Sequence, residues 1–188
     1  MRLHGQVISL VHRYADLLEQ LEPDRRRHSE AVGAKVADLV EGLPASVRED
    51  VPTAALLHDI GYAPALVETG FHPVDGARAL RRMGFSPLVC DLVVTHTGAR
   101  WEAQARGMDL AVVDELSDPC GVPWRPLVLW ADMTTSPTGA DVGPRERVRE
   151  IRSRYVPGHP VHEYVTEHGE EMVHLAELGG VEARRLAG

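Results

Sequence analysis

The sequence predicts an all-α fold, and three observations support this prediction. Apolar residues recur at three- and four-residue steps through nearly every segment, which is the period of a helix with one buried face. Proline and glycine stand between these segments, at positions where they start and stop helices. No segment shows the alternation of apolar and polar residues that is typical of a half-buried strand. With 188 residues, the chain is long enough for one helical domain with a substantial core.

The composition narrows the class of protein. A formal net charge of −8 argues against a partner that is a nucleic-acid polymer, because such proteins carry a basic surface. The two cysteines, Cys90 and Cys120, have no motif spacing, and we expect them to be reduced thiols. No signal peptide is recognisable, and no apolar run approaches the ~20 residues of a membrane span. We therefore expect a cytoplasmic protein with no membrane partner.

Two helices are predicted at the start of the chain. The first covers about 7–21, where apolar residues recur at helical steps, and it ends before Pro23. The second covers about 24–43 and has one continuous apolar face. His28 lies four residues before Val32 on that face, so its imidazole is expected to point inward.

The third predicted helix carries a polar pair in an apolar setting. Ser46 can cap this segment, Pro52 suggests that the regular helix begins there, and Gly61 can end it in the left-handed conformation. His58 and Asp59 then fall in the last turn of a helix suited to the core. Burying unpaired polar groups costs roughly 2–7 kcal/mol for a neutral group and more for a charge. A metal ion or hydrogen bonds must therefore compensate them.

The rest of the chain continues in helices. His72-Pro73 is expected to open a helix that runs to about Met83, and the next helix carries His96 on its apolar side. Asp132 is a charged residue within a later apolar helix. The remaining predictions are a broken helix at 101–118, helices at 87–98, 123–135, 144–155 and 160–186, and a loop at 136–143.

Six polar residues share one property: each interrupts an apolar helical face or stands at a helix start. They are His28, His58, Asp59, His72, His96 and Asp132. Four imidazoles and two carboxylates suit borderline divalent metals such as iron, manganese, cobalt or zinc. Asp59 has two oxygens and can bridge two ions ~3.5–4 Å apart. Taken singly, each histidine could instead be a hydrogen-bonded core residue, and His72 a surface residue before a proline.

The order of these residues resembles the H…HD…D signature of the HD-domain superfamily of metal-dependent phosphohydrolases. His28 lies in RRHSEAV, His58-Asp59 in ALLHDIGY and Asp132 in LVLWADMTTSP, and these contexts are similar to the three parts of the signature. In binuclear members, two further histidines fall between the doublet and the last aspartate. His72 and His96 stand in places that resemble theirs.

The resemblance implies an HD-domain helical bundle that spans 1–188 as a single domain. Its metal-site core would cover 24–135, and C-terminal helices at 144–187 would pack on that core. The implied cofactor is a divalent transition metal, with two ions of iron or manganese expected and cobalt, nickel, zinc or magnesium as alternatives. His28, His58, Asp59 and Asp132 would hold one ion, and His72 and His96 would help Asp59 to hold the second.

The implied activity is hydrolysis of a phosphoester or phosphoanhydride by a metal-activated hydroxide, with Asp59 and His58 at the catalytic centre. The expected partner is a small phosphorylated molecule, such as a nucleotide. Because guanidinium binds phosphate in bidentate fashion, Arg100 and either Arg145 or Arg147 are candidate substrate contacts, together with the hydroxyl of Thr97. For these arginines an exposed position at a helix end is an equal alternative.

Two other functions remain open at this stage. Some HD-type proteins with six ligands are di-iron oxygenases, and the six-residue inventory alone does not exclude that reaction. A non-catalytic nucleotide sensor is the third hypothesis, which a complete ligand set disfavours. A homodimer is left open. The pattern is also similar to small bacterial HD hydrolases that cleave dinucleoside polyphosphates. Tyr62 stands where some family members carry lysine, and Ala63 replaces the proline in the GYP motif of the cyclic-di-GMP phosphodiesterases, so neither substrate class is favoured.

Overall fold

The computed structural model describes residues 3–40 and 42–188, and its side chains from residue 8 onward apart from position 41. Within that range it contains helices and no β-strand, with one isolated bridge between Thr135 and Asp141. The all-α prediction is confirmed. The α-helices are α1 (Leu3–Arg13), α2 (Ala15–Leu18), α3 (Pro23–Ala37), α4 (Ala45–Leu57), α5 (His72–Arg82), α6 (Pro87–Val94), α7 (Ala99–Ala105), α8 (Ala111–Asp114), α9 (Arg125–Met133), α10 (Pro144–Ser153) and α11 (Pro160–Ala187).

The N-terminal helices are shorter than predicted. The helix expected at 7–21 is divided into α1 and α2, because the backbone at Tyr14 leaves helical geometry with φ −113° and ψ 20°. The helix expected at 24–43 ends at Ala37, and turns follow it. Position 41, inside that prediction, lies outside the described residues. In both cases the apolar spacing continues through turns that pack on the core, so spacing alone overestimates the helix.

The start of α4 differs from the prediction. Pro44, not Ser46, occupies the N-cap position, and Pro52 lies inside the helix instead of at its beginning. A proline in a helix removes one hydrogen bond to the carbonyl four residues earlier. Val51 and Pro52 are buried in the core, and this packing favours the helical path through the proline.

The end of α4 also differs, and the difference positions the site. The helix ends at Leu57, and residues Ile60–Tyr62 form a 3₁₀ turn. Gly61 does not adopt the left-handed conformation that we predicted. A Cβ atom on Gly61 would instead lie 2.0 Å from the main-chain oxygen of His72 and 2.6 Å from the nitrogen of Gly76. The glycine therefore allows α5 to lie directly on the turn that follows His58 and Asp59.

The later helices agree with their predicted positions, although α6 ends at Val94, so His96 lies in the turn after it. Gly84 and Gly107 have φ values of +84° and +68°, which explains the end of α5 and the break before α8. The long helix α11 packs on α9, where a Cβ on Gly179 would lie 2.1 Å from the oxygen of Pro126. Among the described residues, no helix has both the length and the apolar character of a membrane span.

Candidate metal centre

Five separate segments bring the six predicted ligand residues together. His28 comes from the second turn of α3, His58 and Asp59 follow α4, and His72 begins α5. His96 follows α6, and Asp132 lies near the end of α9. The side chains form two groups, and within each group the candidate ligand atoms all lie within 4.8 Å of one another. The groups are His28, His58 and Asp132, and Asp59, His72 and His96.

The first group is buried. The Nε2 atom of His28 lies 3.0 Å from Oδ1 of Asp132, and the Nε2 atom of His58 lies 4.0 Å from the same oxygen. The rings of His28 and His58 meet edge to face, with centroids 5.2 Å apart. Three potential ligand atoms thus converge on one point beneath a cleft, whose lining includes Arg25, Tyr62, Thr97, Arg147 and Arg154.

The second group adjoins the first through Asp59. Its Oδ1 lies 3.4 Å from Nε2 of His72 and 3.8 Å from Nε2 of His96. Its Oδ2 lies 3.7 Å from Nε2 of His58, in the first group. The two oxygens of Asp59 therefore face different groups, which is the arrangement that a bridging carboxylate needs.

Main-chain carbonyls fix the tautomers of three of these histidines. The Nδ1 atoms of His28, His58 and His96 lie 3.0, 2.8 and 2.6 Å from the carbonyl oxygens of Ser136, Ala55 and Val93 respectively. A carbonyl only accepts, so each Nδ1 carries the hydrogen and donates it. In the neutral ring, the lone pair is then on Nε2, which faces the centre.

This donor set fits a cation. A lone pair of His28 facing a carboxylate oxygen at 3.0 Å is repulsive unless a proton or a cation lies between them. The buried Nε2 of His58 has no hydrogen-bond partner within the described part of the chain. A buried polar atom without a partner costs about 1–3 kcal/mol, which a metal ion would recover.

The protonation states also suit metal ligands. Burial lowers the pKa of His58 to about 4, despite the opposing charges of Asp59 and Asp132. Burial likewise holds the pKa of His72 well below its usual value, so both rings are neutral at pH 7. Burial alone would raise the pKa of Asp59, but Arg25 and the neighbouring histidines together hold it below its ordinary value. The pKa of Asp132 is lowered too, because its contacts with His28, His58 and Arg147 together outweigh its burial, so both carboxylates stay ionised.

An arginine that the sequence analysis missed contacts the centre. Arg25 donates to Oδ2 of Asp59, and its guanidinium lies 3.5 Å from the ring centroid of Tyr62. The ring of His72 also stacks on the ring of Tyr62, with centroids 4.0 Å apart. Arg25 precedes His28 by three residues, so both lie on one face of α3, and this spacing was the available signal.

The predicted substrate contacts are only partly near the cleft. Thr97 lines it and donates to Oδ2 of Asp132, with an unusual φ of +26°. Arg100 instead bonds Asp114 on the surface, and Arg145 bonds Glu170 at 2.6 Å. Neither is among the residues that line the cleft. Arg147, the alternative to Arg145, does line it, and its Nη2 lies 3.6 Å from Oδ1 of Asp132.

Asp75, in the first turn of α5, holds the loop that precedes this helix. It is fully buried and accepts hydrogen bonds from the nitrogen and hydroxyl of Thr69, at 2.9 and 2.7 Å. It also accepts from the nitrogen of Gly70 at 3.0 Å. These bonds fix the loop that leads into α5, and so they position His72.

One comparison with known proteins agrees with this geometry. A family model described as HD domain matches residues 25–118, which is half of the chain. The match includes five of the six clustered residues and ends before Asp132, which the structure nevertheless brings within 3.0 Å of His28. A search of curated proteins and a search of solved structures each returned no match.

Proposed function

This chain belongs to the HD-domain family, and from that premise we propose that it is a metal-dependent phosphohydrolase acting on a small phosphoester or phosphoanhydride, such as a nucleotide. The family consists in general of metal-dependent phosphohydrolases. The single observation that supports this proposal best is the pair of facing groups, with Asp59 directing one oxygen to each.

The donor set suits two divalent ions, with iron or manganese favoured by its mixture of imidazole and carboxylate ligands. His28, His58 and Asp132 would hold one, His72 and His96 the other, and Asp59 would contact both. When bound, such ions polarise a phosphoryl oxygen and lower the pKa of a coordinated water to near neutrality.

The chain's own residues prepare the site for this chemistry. The carbonyls of Ser136, Ala55 and Val93 hold three imidazoles in one orientation, so little reorganisation is needed when a ligand binds. Thr97 restrains Asp132 by donating to its second oxygen. Arg25 and Arg147 place guanidinium groups beside the two carboxylates, where they can donate to phosphoryl oxygens.

The test compares Asp59→Ala with Asp38→Ala, a control at the exposed far end of α3. We expect wild type and Asp38→Ala to bind close to two manganese or iron ions per chain and to release phosphate from a nucleotide panel. Asp59→Ala should keep its helical circular-dichroism spectrum and lose both metal and turnover. Normal metal content and turnover in Asp59→Ala would contradict the assignment. Oxygen consumption without phosphate release would favour the oxygenase alternative.

A further inference from the structure

Three arginines surround the approach to the candidate metal centre. Arg25, Arg147 and Arg154 line the cleft above Asp59 and Asp132, and the same three line an adjoining opening that reaches His28. Arg25 comes from α3, whereas Arg147 is on α10 and Arg154 caps its end. Two distant parts of the chain thus direct guanidinium groups to one place.

Three carboxylates, Asp59, Asp132 and Glu150, contact these three arginines, and the counter-charges fall short when bound ions neutralise Asp59 and Asp132. Asp59 and Asp132, which contact Arg25 and Arg147, are the carboxylates that the proposed ions would neutralise. Glu150 is shared: it bonds Arg147 at 2.5 Å and Arg154 at 2.6 Å. Glu102, which also lines the cleft, is neutralised by Arg106 at 2.6 Å.

Arg147 carries the clearest sign of a missing ligand. Its side chain is only 8% exposed, and its buried Nε has no acceptor within the described residues. Burying a charged donor without an acceptor is costly. An anion in the cleft would supply acceptors to Arg147 and Arg154 together, because guanidinium binds phosphate with two parallel hydrogen bonds.

We propose that Arg147 and Arg154 bind a second phosphate group, so that the substrate is a phosphoanhydride with at least two adjacent phosphates and not a monoester. This inference rests on the proposed function and narrows its substrate class. The outer phosphoryl group would face the six ligand residues, and the inner phosphate would lie against the arginines of α10.

The arrangement also assigns the leaving group. Water oxygen forms a bond to the outer phosphorus, the bridging P–O bond breaks, and its electron pair stays on the inner phosphate. The proton that the water loses goes to solvent, and the products are inorganic phosphate and the shortened phosphate compound. Charge develops on the inner phosphate as the bond breaks, where Arg147 and Arg154 stabilise it.

The test measures binding without turnover. Methylenediphosphonate, which has two adjacent phosphonate groups and no hydrolysable bridge, and methylphosphonate are titrated calorimetrically into the full chain loaded with manganese. Metal content is measured before and after each titration, because a diphosphonate can also chelate the metal. We expect wild type to bind the diphosphonate at least about tenfold more tightly, the effect of one charge-assisted hydrogen-bonded contact.

Three variants test whether residues of α10 cause the tighter binding of the diphosphonate. Arg154→Gln should remove most of the preference for methylenediphosphonate over methylphosphonate. Arg152→Gln, which changes an exposed arginine on the same helix, should keep this preference. Glu150→Gln removes the carboxylate that Arg147 and Arg154 share, so it should strengthen diphosphonate binding severalfold. Thermal unfolding confirms that each variant is folded.

Equal affinities for the two probes in wild type, or an unchanged preference in Arg154→Gln, would overturn the inference. Weaker binding in Glu150→Gln would also contradict it. The two proposals fail separately. Hydrolysis of monoesters with no diphosphonate preference would reject this inference and leave the hydrolase in place. A diphosphonate preference without phosphate release from any phosphoanhydride would reject the hydrolase and leave only the binding of two adjacent phosphates by Arg147 and Arg154.

Discussion

Asp75 is a buried carboxylate whose two oxygens accept three hydrogen bonds from Thr69 and Gly70. In Asp75→Asn, the amide nitrogen would face donors in place of an acceptor, and at least one buried donor would lose its partner. We expect the free energy of unfolding to fall by about 2 kcal/mol, measured by urea denaturation. Asp109→Asn is the matched control, since the exposed Asp109 side chain accepts from the nitrogen of Ala111 alone among the described residues, and it should cost less than about 0.5 kcal/mol. Equal losses in the two variants would contradict this role.

His58 makes stability depend on pH in the presence of a chelator. Burial lowers its pKa to about 4 in the folded chain, against 6.5 for an ordinary histidine. Between these values the unfolded chain binds a proton that the folded chain does not, so stability rises with pH. The full stability is present above pH 6.5 and is lost as the pH falls toward 4. His72, whose pKa is also lowered by burial, acts in the same direction.

The expected size of this effect is about 1.6 kcal/mol for His58 between pH 6.5 and pH 5. Urea unfolding of wild type and His58→Gln at both pH values, with chelator present, measures it. His58→Gln should show a smaller loss on acidification, and His174→Gln, which changes an exposed histidine, should behave like wild type. An identical pH dependence in wild type and His58→Gln would show that His58 is not neutral when folded.

A histidine or aspartate on an apolar helical face is visible from spacing alone. His28, His58 and Asp132 were predicted in this way, and the structure brings their side chains together. Arg25 was missed because an arginine among RRR resembles a solvated surface. Its role depends on a contact with Asp59, 34 residues away, which no local pattern shows.

At the scale of elements, Gly61 shows why the prediction of α4 failed at its end. A glycine that ends a helix and a glycine that admits a neighbouring backbone give the same sequence signal. The structure shows the second case, since α5 lies against Gly61. The prediction that the regular helix begins at Pro52 was also wrong, because the burial of Pro52 in the core favours a position inside the helix. By contrast, the start of α5 and the loop 136–143 follow from local residues, and both were predicted.

The contact of Gly61 with α5 leads to a sharp prediction. In Gly61→Ala, the new Cβ would lie 2.0 Å from the main-chain oxygen of His72, and a main chain cannot rotate away as a side chain can. We expect a loss of about 3 kcal/mol or more in the free energy of unfolding, measured by urea denaturation. Gly42→Ala is the control, since its Cβ would have no neighbour within 4 Å, and it should be neutral or slightly stabilising.

Displacing α5 should also affect the site, because His72 is its first residue. Gly61→Ala should therefore bind less manganese per chain than Gly42→Ala at a temperature where both are folded. Similar unfolding free energies for the two variants would show that the 3₁₀ turn and α5 can separate at little cost.

At the scale of the whole molecule, the candidate metal centre connects helices that are distant in sequence. The six candidate ligand residues belong to or follow α3, α4, α5, α6 and α9, so ions bound there would stabilise the folded chain as a unit. The unfolded chain cannot bring these groups together, and binding free energy therefore adds to folding free energy. This coupling predicts that metal, more than any single contact, determines thermal stability.

We expect manganese at a free concentration of about 100 times its dissociation constant to stabilise the chain by about 2.7 kcal/mol. For a protein of this length, that corresponds to a rise of roughly 5–11 °C in the unfolding midpoint. Differential scanning calorimetry with and without chelator measures the shift. His96→Ala should lose much of it, whereas His174→Ala, which changes an exposed histidine on α11, should retain it. A midpoint that does not respond to manganese, iron, cobalt, nickel or zinc would mean that hydrogen bonds and protons satisfy the histidines, and the hydrolase proposal would then lose its physical basis.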